Sequence, residues 1–235
     1  MDFNPSTRPD RLEAPLQQAV RLVFAQYKYF WIAWVVVLVD QTVKFLIKLN
    51  LNPYDEVAVI GNWFSINFIE NKGAAFGLTI ADLSSKLGLP MDEETAKVLL
   101  TLFSIAAVLV IVYFLGKVKG HTTLLPFSLA LILGGALGNI VDRVFYGVWF
   151  AGINDYEGGL FHGRVVDMFY MDLYQGQVAG VEVSLWPVFN LADFAITVGI
   201  LMVIFFNRKF FNDIGSTKPA QEIPDNPSMD PDPHP

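Results

Sequence analysis

Residues 124–143 have the sequence LLPFSLALILGGALGNIVDR, an apolar run that ends in an amide, a carboxylate and a guanidinium. A helix needs about 20 mainly apolar residues to cross the hydrocarbon core of a bilayer. The Gly-x-x-x-Gly spacing of Gly134 and Gly138 allows a second helix to approach closely. The stretch therefore predicts a transmembrane helix over 124–141 that packs in a bundle and places polar groups at its outer end.

The rest of the chain also has the character of a membrane protein. Of its 235 residues, 53% are hydrophobic and only 17% are charged, a composition typical of membrane proteins. Three further apolar runs have the length of a membrane span, at about 29–49, 98–116 and 189–207. We therefore predict an all-α membrane protein built as a four-transmembrane-helix bundle.

The distribution of Lys and Arg predicts how this bundle is oriented. These residues are more numerous on the side of the membrane where the two termini lie than on the other side. Because cytoplasmic segments are richer in Lys and Arg, both termini are expected in the cytoplasm. Residues 1–28 lack the features of a cleaved signal peptide and are expected to form a cytoplasmic N-terminal segment. Residues 208–235 are acidic and Pro-rich, which predicts a disordered cytoplasmic tail. The membrane domain would then comprise residues 29–207.

Composition excludes several kinds of chemistry. The chain has no cysteine, so neither a disulfide nor a thiol nucleophile is available. Its three histidines lack the one-turn spacing of a zinc peptidase. No metal or cofactor is expected, and a net charge of -7 argues against nucleic acid as a partner.

Two segments are expected on the outer face. The first half of the connection between the first two spans, EVAVIGNWFSINFIE, alternates in polarity and is rich in strand-forming residues. It predicts a small outer β-sheet, over about 55–80, between helices 1 and 2. The outer loop over about 144–188 is rich in glycine and aromatic residues, which suits the level of the lipid headgroups.

Several charged residues fall inside or beside the predicted spans. A carboxylate at the centre of a span costs about 2.5–3.5 kcal/mol on insertion scales, so it needs a partner. Asp40 and Lys44 are one helical turn apart, which predicts an ion pair facing the bundle, with a direct catalytic role for Asp40 as the alternative. One face at the outer end of the third span carries Asn139, Asp142 and Arg143. This spacing predicts a polar site there, with an anchor to the lipid headgroups as the alternative.

Two further acids belong to the outer boundary of the bundle. Asp193 follows Asn190 by three residues near the start of the fourth span, and Asp167 lies in an apolar stretch, where burial would favour its neutral form. Either acid could instead be solvated. If the two meet, they would share one proton, as in aspartic proteases. One carboxylate could then activate a water molecule while the other protonates the leaving amine.

Five stretches, in order, resemble motifs of the lipoprotein signal peptidase (signal peptidase II) family: DQTVK, NKGAAFG, GNIVDR, VVD and FNLADFAITVG. The resemblance covers about residues 29–207. It implies an intramembrane aspartyl endopeptidase that removes signal peptides from diacylglyceryl-modified prolipoproteins, cutting before the lipidated cysteine. The enzyme would lie in the bacterial cytoplasmic (inner) membrane with its active site near the periplasmic face.

The same resemblance implies roles for single residues and partners. Asp167 and Asp193 match the catalytic pair. The residues that support the site or bind substrate would be Asp40, Lys44, Asn71, Gly73, Asn139, Arg143 and Asn190. Asp142 is expected to support Arg143. Expected partners are the prolipoprotein substrates, membrane lipids and globomycin-type inhibitors, and the protein is expected to be a monomer.

Two other functions fit parts of the pattern. A proton-coupled transporter also uses acids inside the membrane, but it would spread them across the bilayer and usually contains two related halves. Here the candidate acids gather near one face, except Asp40, and no repeat is visible. A noncatalytic scaffold would explain the glycine-rich packing but not two carboxylates with flanking amides at one depth.

Overall fold

The structure is a computed structural model that describes residues 10–73, 80–89, 91–117, 124–156, 158–172, 175–178, 181–184 and 187–215. Helices and strands follow one another along the chain as α1 (Asp10–Asn50), β1 (Glu56–Ile60), β2 (Phe64–Asn71), α2 (Ile80–Lys86), α3 (Glu93–Lys117), α4 (Leu124–Trp149), β3 (Val165–Met171), β4 (Gln175–Val178), β5 (Val181–Ser184) and α5 (Leu191–Gly215).

Among the described residues, three helices are long and apolar enough to cross a membrane. They are Tyr27–Asn50 within α1, Glu93–Lys117 and Leu124–Trp149, and they coincide with the first three predicted spans. The fourth predicted span falls on α5, whose described apolar part, Leu191–Phe206, is shorter. The chain is therefore mostly helical with three candidate membrane spans, and a fourth crossing stays a prediction.

Helix α4 is the centre of the bundle because it packs against α1, α3 and α5. Its glycines lie where the neighbouring helices approach most closely. A Cβ atom on Gly134 would lie 2.7 Å from the Ala33 carbonyl oxygen of α1, and one on Gly138 would lie 2.6 Å from Asp40 Oδ2. The two glycines thus allow α1 to pack so closely against α4 that no side chain would fit between them, as the sequence predicts.

The outer sheet differs from the prediction in its composition. Strands β1 and β2 form an antiparallel pair in the region between α1 and α3 where a sheet was predicted, but β2 also pairs with β3, which follows α4. The predicted sheet between helices 1 and 2 is therefore only part of the observed one. The physical reason is that β2 has two edges, and β3 pairs with the backbone groups that β1 leaves unpaired.

Strand β3 is also joined to the start of α5. The amides of Met168 and Phe169 donate to the Phe189 carbonyl oxygen at 3.1 and 2.8 Å, and the Phe189 amide donates to the Phe169 carbonyl oxygen at 3.0 Å. Phe189 lies two residues before α5 begins at Leu191. These bonds bring the strand that contains Asp167 against the helix that contains Asp193.

The ends of the helices differ from the predicted boundaries. Helix α4 continues to Trp149, two turns beyond the predicted end of the third span. Helix α1 already begins at Asp10, and α5 continues to Gly215, because a span that is already helical can be extended by polar residues at little cost. The remaining parts of the two predicted terminal segments, residues 1–9 and 216–235, lie outside the described residues.

Replacing Gly138 by Ala tests the close packing of α1 and α4. We expect Gly138→Ala to lower the melting temperature of the detergent-solubilised protein by several degrees, since overpacking costs about 1–3 kcal/mol. Gly116→Ala is the matched control, because a Cβ there meets nothing within 4 Å. A Gly138→Ala variant as stable as Gly116→Ala would contradict the packing argument.

Candidate active site

Asp167 and Asp193 lie on different elements and are connected through Asn190. The Asn190 side-chain amide donates to Asp167 Oδ1 at 2.6 Å. The same residue caps α5. Its Oδ1 accepts the backbone N–H of Asp193 at 2.9 Å, and its own backbone N–H donates to Asp193 Oδ2 at 3.3 Å. This reciprocal arrangement is a capping box. One asparagine therefore holds both predicted catalytic acids.

Two further amides complete the support of the acids. Asn71, at the end of β2, donates to Asp167 Oδ2 at 2.9 Å, and Asn139 of α4 donates to Asp193 Oδ1 at 2.8 Å. Asn71 is itself held by the Gly73 amide, which donates to Asn71 Oδ1 at 2.8 Å. Gly73 has a φ of 100°, a conformation that a residue with a side chain rarely adopts. Every carboxylate oxygen of the pair thus accepts a hydrogen bond.

Beneath the two acids lies a fully buried ion cluster centred on Lys44. Its ammonium group lies 2.9 Å from Asp40 Oδ2 and 2.8 Å from Asp142 Oδ2, and it donates to Asn139 Oδ1 at 2.9 Å. The predicted ion pair of Asp40 and Lys44 is therefore present, with Asp142 as a second anion. Lys44 also orients Asn139, because an amide whose oxygen accepts from Lys44 must direct its NH₂ group elsewhere.

The two acids of the ion cluster also bind the backbone beside the candidate catalytic residues. Asp40 Oδ1 accepts the Ala192 amide at 2.9 Å, one residue before Asp193. Asp142 Oδ2 accepts the Val166 amide at 3.2 Å, one residue before Asp167. A single buried cluster therefore fixes both α5 and β3.

The direct contacts of Asp142 differ from the prediction. We expected it to support Arg143, but its side chain binds Lys44, Gln41 and the Val166 amide. Successive residues on a helix point about 100° apart, so Asp142 faces α1 while Arg143 points to α3, where it donates to Ser104 Oγ at 3.1 Å. Arg143 is half-buried, and its charge interacts with Asp142 first and then with both candidate catalytic acids.

Gln41 and Tyr146 also belong to the site, although neither was predicted from the sequence. The Gln41 amide donates to Asp142 Oδ1 at 2.8 Å and to the Gly138 carbonyl oxygen at 3.1 Å, and the Tyr146 hydroxyl donates to Gln41 Oε1 at 3.0 Å. Gln41 follows Asp40 directly, and Tyr146 lies four residues after Asp142. That spacing would have placed Tyr146 on the same helix face, but it lies beyond the predicted end of the span.

The two acids differ in their exposure to solvent. Asp167 is only 3% exposed, whereas Asp193 is half-buried. Burial, and after it the charge of Asp193, raises the pKa of Asp167 from 3.8 to about 7, although hydrogen bonds from Asn71 and Asn190 act in the opposite direction. Near neutral pH, Asp167 therefore holds a proton for much of the time.

Comparison with known proteins identifies the family. The sequence profile described as "Signal peptidase (SPase) II" matches residues 32–208. The chain belongs to the signal peptidase II family. It is similar to the lipoprotein signal peptidase of Pelodictyon phaeoclathratiforme (strain DSM 5477 / BU-1), with 36% identity over 184 residues that cover 78% of this chain and 91% of the relative.

Other signal peptidase II relatives and a solved structure agree. The lipoprotein signal peptidase of Porphyromonas gingivalis (strain ATCC BAA-308 / W83) is 36% identical over 187 residues, which cover 71% of this chain and 76% of the relative. A solved bacterial membrane enzyme matches with a TM-score of 0.55 at 24% identity, covering 83% of this chain and 94% of that one, and so has the same fold. The protein is thus a multi-pass membrane peptidase of lipoprotein processing.

The raised pKa of Asp167 predicts how the stability of this signal peptidase II depends on pH. Between pH 3.8 and about 7 the folded protein keeps a proton on Asp167 that the unfolded chain has released, so this group's contribution to stability falls as the pH rises through that range. Asp167→Asn has no such proton. We expect the melting temperature of the wild type, minus that of Asp167→Asn, to decrease from about pH 5 to about pH 8. A constant or increasing difference would contradict the assignment.

Removing the cation of the buried cluster should destabilise the protein strongly. Lys44→Met leaves Asp40 and Asp142 buried without their counterion, and breaking a buried ion pair in this way costs about 3–5 kcal/mol. Lys86→Met, in the exposed helix α2, is the control and should unfold like the wild type. Thermal unfolding in detergent measures both variants, and an equal melting temperature would show that the cluster is not needed for stability.

Proposed function

We propose that the protein is an intramembrane aspartyl endopeptidase that removes signal peptides from diacylglyceryl-modified prolipoproteins by cutting before the lipidated cysteine. The observation that carries this proposal is the pairing of Asp167 and Asp193 through Asn190 in a chain of the signal peptidase II family. The names of the relatives, lipoprotein signal peptidases, support the substrate class.

The proposed reaction uses the different environments of the two acids. Asp193, which is more exposed to solvent, acts as the base and accepts a proton from a water molecule while the water oxygen attacks the peptide carbonyl carbon. Asp167, which is protonated near neutral pH, donates a hydrogen bond to the carbonyl oxygen. When the carbon–nitrogen bond breaks, a proton passes from the acid pair to the leaving amine, which restores the shared proton.

The remaining predicted site residues have supporting roles in this proposal. Asn71, Asn139 and Asn190 orient the two acids. Asp40 and Lys44 hold the elements that contain them, and Gly73 holds Asn71. The guanidinium of Arg143 has several donors besides the one used by Ser104, so it can bind carbonyl groups of the substrate at the edge of the site.

The proposed setting is the bacterial inner membrane with four crossings, both termini in the cytoplasm and the acids near the periplasmic face. Asp193 lies in the first turn of α5 and Asp167 on a strand outside the helices, which supports a reaction at the membrane surface. The acyl chains of the substrate would remain in lipid. In this proposal a monomer needs no cofactor, and globomycin-type inhibitors occupy the same site.

The pairing of Asp40 with Lys44 argues against the transporter alternative. Asp40 is completely buried, and both of its oxygens have partners: Lys44 on one side and the Ala192 amide on the other. A carboxyl group that carries protons must exchange them with water, whereas this one is committed to an ion pair. The acid that kept the alternative open is therefore explained by structure alone.

Replacing either acid by Asn tests the proposal. We expect Asp167→Asn and Asp193→Asn each to lower the turnover of a diacylglyceryl-modified precursor by at least about 10²–10⁴-fold, the usual contribution of a general acid or base. Asp172→Asn is the matched control, because Asp172 directly follows β3 and has no role in the mechanism. Cleavage by purified protein in detergent, followed by mass spectrometry of the product, measures the rate and the cut site.

Each result has a definite meaning. Loss of turnover in both variants, with normal turnover in the control and a cut before the modified cysteine, agrees with the proposal. Near-normal turnover in either folded variant removes that acid from the mechanism. Equal cleavage of a precursor without the diacylglyceryl group would contradict the proposed substrate class.

A further inference from the structure

A second buried charge cluster, separate from that of Lys44, lies between the end of α1 and the sheet. Lys48, near the end of α1, forms an ion pair with Glu70 of β2, and the two side chains are only 3% and 6% exposed. Arg164, directly before β3, pairs with the same carboxylate, with its Nη1 3.7 Å from Glu70 Oε2. We call Lys48, Glu70 and Arg164 the brace. It connects α1 to both strands that hold Asn71 and Asp167.

The loop between α4 and β3 binds both cations of the brace. Asn154 Oδ1 accepts from Lys48 Nζ at 2.7 Å, and Asp155 Oδ1 accepts from Arg164 Nη1 at 3.1 Å. The ring of Tyr156 lies 4.0 Å from the Arg164 guanidinium, and its hydroxyl accepts the Arg164 amide at 3.3 Å. Three consecutive loop residues therefore hold the brace from outside.

Electrostatic attraction holds the brace together. Among the described residues, Glu70 Oε2 and Arg164 Nε are buried without a hydrogen-bond partner. The attraction of Glu70 and Arg164 is therefore one of charge at 3.7 Å and requires both ions. Because the groups are shielded from water, salt screens this attraction less than it screens a surface pair.

The brace lies on the opposite face of β2 from the candidate active site. Neighbouring residues of a strand point to opposite faces, so Glu70 and Asn71 point away from each other. In the pairing of β2 with β3, Glu70 lies opposite Val166 and Asn71 opposite Val165. A shift of Glu70 on one face would therefore move the backbone that carries the Asn71 side chain on the other.

We infer that the brace is a positioning device for the active site: Lys48 and Arg164 hold Glu70, and Glu70 fixes the Asn71 amide against Asp167. The inference rests on the proposed function, because it gives the brace a role in the reaction of Asp167. Glu70 and Arg164 are then positioning residues that touch neither the substrate nor the reacting atoms.

Two variants test the brace through kinetics. Glu70→Gln keeps the shape of the side chain and removes its charge. Arg164→Lys keeps the charge and loses the planar group that binds Asp155 and Tyr156 together. We expect Glu70→Gln to lower kcat about 10-fold to 100-fold, as a small misplacement of a catalytic group does, and Arg164→Lys to lower it less. KM should stay within about twofold of the wild-type value, because the affected hydrogen bond acts on Asp167 rather than on bound substrate.

Lys72→Met is the matched control. Lys72 flanks Asn71 on the side away from Glu70, and it forms a 3.4 Å ion pair with Glu93 in which its side chain is 46% exposed. Exposed pairs contribute little to stability. We therefore expect wild-type kcat and KM for this variant. That result would show that removing a charged side chain next to Asn71 does not by itself lower kcat.

A double-mutant cycle distinguishes positioning from a general structural role. If Glu70 acts through Asn71, Glu70→Gln lowers kcat in the wild type but has no further effect in Asn71→Ala. An equal decrease in both backgrounds, or wild-type kcat in folded Glu70→Gln, overturns the inference. If Glu70→Gln does not fold, the same cycle with Arg164→Lys and Asn71→Ala decides by the same criteria.

The same assay separates this inference from the proposed function. Turnover by folded Asp167→Asn would overturn the proposed function and the brace together, since the brace would have no catalytic acid to act on. If Asp167→Asn is inactive while the cycle gives additive effects, the proposed function stands and the brace alone is rejected.

Discussion

The assembly of the candidate site depends on the ammonium group of Lys44, which is buried between two carboxylates. Two carboxylates, Asp40 and Asp142, could not remain in the core of a helix bundle without it, since a buried unpaired charge is far more costly than a paired one. Each carboxylate then uses its remaining capacity to bind a backbone amide on another element, Ala192 on α5 or Val166 on β3. The contacts that make the ions tolerable in the interior are therefore the same contacts that assemble the site.

This arrangement also explains why the helices must lie so close together. The Lys44 ammonium makes its three contacts at 2.8–2.9 Å, and such distances leave no room for side chains between α1 and α4. Gly138 lies directly beside Asp40, so the absence of a side chain provides the space that the carboxylate occupies. Glycine-mediated helix packing and ion pairing are thus two parts of one constraint, and neither would be stable alone in this geometry.

Local sequence patterns predicted the parts of the fold that depend on neighbouring residues. Three apolar runs became long apolar helices, the spacing of Asp40 and Lys44 gave their ion pair, and Asn190 and Asp193 lie three residues apart in one cap. The addition of β3 to the sheet was not predicted, because strand pairing between distant segments leaves no local periodicity. The direct contact of Asp142 with Lys44 was not predicted for a related reason: Lys44 lies in a distant segment, and only the direction of the Asp142 side chain on α4 leads to it.

The choice of asparagine beside both acids follows from the chemistry that an acid pair needs. Asn71, Asn139 and Asn190 donate hydrogen bonds without adding charge, so they orient a carboxyl group without committing it to the ionised state. A lysine or arginine in direct contact would hold its carboxylate ionised far below neutral pH. In the structure Lys44 contacts Asn139, which in turn contacts Asp193, so the cation is separated from the acids by an amide. Burial raises the pKa of Asp167 to about 7. In the proposed reaction, neutral donors in contact with the acids, with the cations farther away, would allow a proton to pass between the acids and the substrate.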